Sequence, residues 1–144
     1  MHTRPLLHAR CAAAFGTGAL SFALAFATTA QAADAPLPTL QTAGALQYAC
    51  GGIGSDESTA MRSAMKDYPL SLLFARKDGE YLANLAVQIQ GAQGEAMSFT
   101  AAGPVCLLKL PRGHYSVKAT TQGGESQSKS VDVGRNGHTL DFRY

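Results

Sequence analysis

Tryptophan is absent from the 144 residues, aromatic residues make up only 8% and charged residues only 15%. An average globular protein carries roughly 25% charged residues. The hydrophobic share is an ordinary 46%, and low charge with ordinary hydrophobicity excludes a disordered chain. Fifteen Gly and six Pro are too few for a collagen-like or low-complexity sequence. From residue 33 onward there is no G-x-S-x-G, H-E-x-x-H, P-loop or C-x-x-C pattern, so none of the compact motifs for acyl transfer, zinc hydrolysis, nucleotide binding or dithiol redox chemistry is present. At this length one domain is the expectation.

The first ten residues carry Arg4 and Arg10 and no acid, and an uncharged run rich in Ala, Leu and Phe covers residues 11–27. Ala30-Gln31-Ala32 then supplies a small-x-small site. A positive start, an apolar middle and a small-residue site together read as a secretory signal peptide over residues 1–32, cleaved after Ala32 or Ala33. The apolar run is at the lower limit for a membrane span and is diluted by Gly16, Thr17, Gly18 and Ser21. No stable span is expected after cleavage. The expected location is the periplasm or the exterior of a bacterium.

Cleavage changes both the charge and the cysteine count. Arg4 and Arg10 leave with the leader, so ten basic residues face ten acids and the exported chain is close to neutral. A neutral chain with scattered charges has no footprint for phosphate backbones, which excludes nucleic-acid binding. Cys11 also leaves, and Cys50 and Cys106 remain, an even number in an oxidising compartment. They are expected to form a disulfide, the alternative being two free thiols. Such a bridge closes a loop of about 57 residues, worth roughly 4 kcal/mol in the chain-entropy account. Two Cys and the two remaining His, all far apart, make no metal-ligand spacing. No metal and no cofactor is expected.

Residues 33–45 hold two Pro and no hydrophobic period, and read as a flexible N-terminal segment. Leu46, Tyr48 and Cys50 alternate as a short strand. A helix is expected over residues 55–68: Ser55 as cap, Asp56 and Glu57 in the first turn, and Met61, Ala64, Met65 and Tyr68 on one apolar face, with Pro69 as the stop. Core packing is the expected role of the two Met. Beyond it, alternating runs follow at intervals of about ten residues, each bounded by a turn signal. They include a long strand over residues 81–89, and Asn136-Gly137 reads as a hairpin turn. The fold class expected is all-β, an antiparallel β-sandwich of about seven strands in a single domain over residues 46–144. Both cysteines sit on apolar parities, compatible with an inward bridge. The polar run 125–130 has little to bury and suits an edge strand.

The run Leu110-Pro111-Arg112-Gly113-His114-Tyr115-Ser116-Val117-Lys118-Ala119 resembles the LPxGxYxVxA pattern of bacterial carboxypeptidase regulatory-like domains, of the prealbumin-like (transthyretin-like) sandwich class. The runs at 51–57, 79–89 and 140–144 are similar to segments of small exported proteins of that group, and the resemblance spans about residues 46–144. It implies a prealbumin-like or Ig-like sandwich and says little about activity, because such sandwiches host many functions. Read by its physics, Pro111 presets a turn, Gly113 allows an unusual backbone angle, and Tyr115 returns the chain inward. A buried Tyr115 hydroxyl needs a partner. Some transthyretin-like proteins hydrolyse 5-hydroxyisourate and carry a Tyr-Arg-Gly-Ser signature, which Asp141-Phe142-Arg143-Tyr144 does not match.

Candidates for chemistry are few. Gly51-Gly52-Ile53-Gly54 before the helix could turn N–H groups toward an anion, but it lacks the P-loop Lys and is best read as a structural turn. His114 and His138 lie beside turns, Asp78 and Glu80 lack calcium spacing, and Lys118, Lys129, Arg135 and Arg143 read as solvated. The expectation is a non-catalytic exported binding module, whose partner is a protein or an envelope glycan. An accessory subunit of an envelope assembly, docking by its helix face or by strand addition at the 125–130 edge, is the alternative.

Overall fold

Alternation of side chains governs most of the chain, and it produces two sheets. The computed structural model describes residues 35–144, so the expected leader over residues 1–32 lies outside the described residues. Nine strands occur: β1 Gln41–Ala43, β2 Leu46–Gly51, β3 Leu70–Ala75, β4 Leu85–Gly91, β5 Ala96–Ala101, β6 Val105–Lys109, β7 Gly113–Thr120, β8 Ser126–Val133 and β9 His138–Arg143. An α-helix, α1 Ser55–Ala64, and a 3₁₀ turn at Met65–Asp67 separate β2 from β3. One sheet has the order β1-β2-β6-β3-β9 and the other β5-β4-β7-β8. Their inner faces share one core, with Leu46, Leu72, Phe74, Leu108 and Phe142 from the first sheet and Leu85, Val87, Ile89, Phe99 and Val117 from the second. This is a β-sandwich.

The first sheet is apolar on both faces because a second layer covers it. On β6, Cys106 and Leu108 point to the sandwich core while Val105 and Leu107 point outward, and all four are buried. Met61 of α1 packs fully buried on Val105 and Leu107, with Ala64, Met65 and Tyr68 around it, which bears out the packing role read from the Met spacing. Beneath the same layer, buried Ser71 donates its hydroxyl to the Met65 carbonyl at 3.5 Å. The second sheet has no such cover and alternates cleanly, buried inside and exposed outside, along β4, β5 and β7.

Several expectations need correction. There are nine strands rather than about seven; seven do follow the helix, but two precede it. One of those, β1, lies in the expected flexible segment 33–45 and pairs with β2 through Thr42↔Gln47. The sandwich is not purely antiparallel, since β3 and β9 run parallel from Leu70↔His138 to Ala75↔Arg143. Accordingly Asn136-Gly137 is not a hairpin turn but the crossing from one sheet to the other. A Cβ at Gly137 would lie 2.7 Å from the Tyr68 carbonyl oxygen, and the His138 N–H donates to the Pro69 carbonyl at 3.1 Å. Glycine is needed there for close approach, and the docking starts β9 alongside β3 in the same direction.

The helix expected over 55–68 ends at Ala64 and tightens into the 3₁₀ turn, and its N-cap is Gly54 rather than Ser55, with no side-chain cap. The strand expected over 81–89 begins only at Leu85, because Asn84 takes a left-handed conformation (φ 58°). Asn tolerates that region better than most residues. Tyr81, upstream of the break, is 53% exposed rather than inward.

Candidate functional site

Cys50 and Cys106 are directly opposite in the β2–β6 pairing, Cα atoms 4.1 Å apart, and are joined as a disulfide. Cys106 is fully buried and Cys50 packs against the sandwich core, so the bridge faces inward. It lies inside the sheet, with β1 beyond it on one side and β3 and β9 on the other.

Pro111, Gly113 and Tyr115 gather at one end of the sandwich. Chain reversal through Pro111 and Arg112 leads into β7, and the Tyr115 hydroxyl donates back to the Pro111 carbonyl at 2.8 Å. A tyrosine locking a sandwich corner in this way recurs in immunoglobulin-like folds. It supplies the hydroxyl partner that burial demands. Opposite lies the β4–β5 turn, closed by Gly91 N–H to the Glu95 carbonyl (2.8 Å) and tied to β7 by Ala92 N–H to the His114 carbonyl (3.1 Å). Between them opens a cleft of about 330 Å³, with Met97 and Tyr115 among its walls and Glu95, Arg112 and His114 at its rim. Burial, and secondarily the Glu95 carboxylate, raises the Tyr115 pKa above the usual phenol value. His114 Nδ1 lies 2.6 Å from Asp132 Oδ1 across β7–β8. The sequence placed His114 beside a turn; the structure puts it on a strand, engaged with an acid 18 residues away.

A second feature adjoins this end. Among the described residues nothing covers the outer face of the second sheet, and its residues align in rows across four strands. One row reads Thr100, Ala86, Thr120, Ser126; the next Ser98, Gln88, Lys118, Ser128; the third Ala96, Gln90, Ser116, Ser130. The His114–Asp132 pair terminates the array on the β7–β8 side. Across the strands such a face measures roughly 14 Å, at about 4.8 Å per strand. Its side chains are neutral apart from Lys118, and short apart from that residue, Gln88 and Gln90. A shallow depression of about 320 Å³ lies in it, bounded by Gln88, Gln90, Ala96 and Ser98. Sequence reading recorded the apolar parity of these strands and passed over the other parity. The signal was present there, as alternate positions filled by Ser, Thr, Gln and Ala.

The remaining candidates are structural. The Gly52 N–H is taken by Glu57 Oε2 at 3.0 Å, so the glycine turn is satisfied from within the chain. Residues 126–130 of the polar run form the first part of β8, an edge strand as expected. Its inward positions close the seam to β9: Gln127 Nε2 donates to the Arg143 carbonyl, and the Lys129 ammonium sits 5.6 Å from the centroid of the Phe142 ring. His138 opens β9. Asp141 pairs with Arg143, whose Nε is 3.0 Å from Oδ2. Arg76 and Glu80 form an exposed ion pair, and the Glu80 N–H donates to Asp78 Oδ1 at 3.1 Å. Among the described residues no three His, Cys, Asp or Glu side chains are grouped to hold a metal. No described helix is long and apolar enough to cross a membrane. Protein-family models, curated proteins and solved structures yield no match to this chain.

Proposed function

We propose that the chain is an exported, non-catalytic binding module, periplasmic or secreted, that engages a component of the bacterial envelope. The observation that carries this reading is the asymmetry of the two outer faces. One is sealed by α1 and the 3₁₀ turn over Val105 and Leu107. The other is a four-stranded array of side chains, neutral but for Lys118, in exposed rows. Rigid strands fix its side chains in register, and a site built on strands is more exact than one on loops. The LPRGHYSVKA corner, with its Tyr115–Pro111 bond, supports a place for the chain among the carboxypeptidase regulatory-like, prealbumin-like sandwiches. The Cys50–Cys106 bridge supports maturation in an oxidising compartment.

The test is a native pulldown from envelope extracts with the periplasm-expressed protein and with Ser116→Trp, which places a large ring on the array at an exposed position. The wild-type protein should enrich a component that the variant loses. Repeated absence of any enriched component, or equal enrichment by both, counts against the reading.

A further inference from the structure

We propose that the uncovered face of the second sheet docks an acidic polysaccharide, a polyhydroxylated polymer with carboxylates on some of its sugars. This rests on the binding-module reading and names the partner of that same face.

Three properties of the face select this chemistry. Gln88 and Gln90 project from the outer parity of β4, with Ser98 and Ser116 cross-strand to them. Each amide offers a carbonyl acceptor and two N–H donors, and each hydroxyl both donates and accepts. That is the complement of neighbouring sugar hydroxyls, which also donate and accept. The depression bounded by Gln88, Gln90, Ala96 and Ser98 gives one sugar a seat, because Ala96 leaves room beside the two amides. Ordering Gln88, Gln90 and Lys118 costs rotamer freedom, while Ala86 and Ala96 in the same rows cost none.

Charge narrows the choice further. Lys118 is the one ionisable side chain in the three rows, at their centre, with Gln88 and Ser128 as its cross-strand neighbours. Among the described residues it takes part in no ion pair, and the nearest row end has its acid, Asp132, engaged with His114. A lone ammonium in a neutral field complements sparse carboxylates. It is too little for a phosphate-rich polymer, whose affinity comes from several cations at once. The composition also points away from a protein partner, since protein interfaces are enriched in Tyr, Trp, Phe, Met and Arg and depleted in Ser, Ala and Lys. The rows contain no aromatic ring, so contact with a sugar is made by hydrogen bonds and each site is weak. A polymer compensates by repeated engagement at high effective concentration.

The probes are hyaluronate, in which carboxylated and neutral sugars alternate, and dextran, a neutral polymer, each cast into native gels run with the periplasm-expressed protein. Retardation is expected in hyaluronate, falling as salt is added, and little in dextran. Lys118→Gln should bind about fivefold more weakly, the scale of losing one partly screened ion pair, while Lys118→Arg should bind like the wild type. Gln88→Ala combined with Gln90→Ala should weaken binding further, with the melting temperature unchanged because both positions are exposed. No retardation in hyaluronate, equal retardation in dextran, or an unaffected Lys118→Gln variant each overturns the proposal. If those results coincide with a pulldown that still enriches a component lost in Ser116→Trp, the polysaccharide inference fails and the binding-module reading stands. An empty pulldown removes both.

Discussion

The Tyr115 hydroxyl reaches back four residues to the Pro111 carbonyl at 2.8 Å, and this single bond holds the corner through which β6 passes into β7. Tyr115→Phe keeps the ring in the core and removes only the bond, so denaturant unfolding should show a loss of about 1 kcal/mol. Cys50 and Cys106 act differently. Their strands are already hydrogen-bonded neighbours, so the bridge adds little new contact to the folded state and works chiefly by restricting the unfolded one. Mass spectrometry of non-reduced peptides from periplasm-expressed protein should find the Cys50–Cys106 link and no alkylatable thiol. Replacing both by Ala should lower the melting temperature by on the order of 10 °C, given roughly 4 kcal/mol from the loop.

At the scale of elements, α1 holds its place by one fully buried side chain. Met61 packs on Val105 and Leu107, and a buried Met truncated to Ala costs about 2–5 kcal/mol. Met61→Ala should therefore speed amide exchange in α1 before it affects β4 or β7, because the helix is a separate layer that can open alone. Gly103, just before β6, leaves no space for a Cβ, which would collide with the Gly51 carbonyl oxygen. Backbone cannot swing aside as a side chain can. Gly103→Ala should destabilise by on the order of 2–3 kcal/mol in chemical denaturation, by prising apart the strand ends next to the bridge. The helix was legible in sequence from its Met spacing, yet its end at Ala64 and its cap were not. Gly54 and Ser55 both suit a cap, and only the backbone angles at the turn decide between them.

Over the whole molecule, two tyrosines couple stability to alkaline pH. Burial, then the negative charge of Glu95, raises the pKa of Tyr115, and burial, then Glu125, raises that of Tyr144. Tyr144 donates its hydroxyl to the Ala119 carbonyl at 2.8 Å, tying the last turn of chain to β7 across the sandwich. An acid whose pKa is higher folded than unfolded contributes stability that is fully present below the unfolded value, about 10 for a phenol. That contribution is lost as pH climbs through the folded value, since the unfolded chain ionises first. The melting temperature should thus be insensitive to these groups at neutral pH and fall above about pH 10. Tyr115→Phe with Tyr144→Phe should start lower and show a shallower alkaline decline.

Period-two alternation determined the sandwich without help from the structure, because a strand with one buried face must place apolar residues at every second position. Leu85, Val87 and Ile89 announce it, as do Tyr115, Val117 and Ala119. The cysteine pairing was legible for a related reason: only two remain after the expected cleavage, both on inward parities. Pairing partners and strand direction were decided by tertiary structure alone. Nothing local to Asn136-Gly137 distinguishes a hairpin from a crossing, since the cause is the Tyr68 carbonyl 2.7 Å from where a Cβ would sit, nearly seventy residues upstream. The candidate face was hidden for the same reason. Gln88, Ser98, Lys118 and Ser128 are unremarkable polar residues on four separate strands, and register alone sets them side by side in one row.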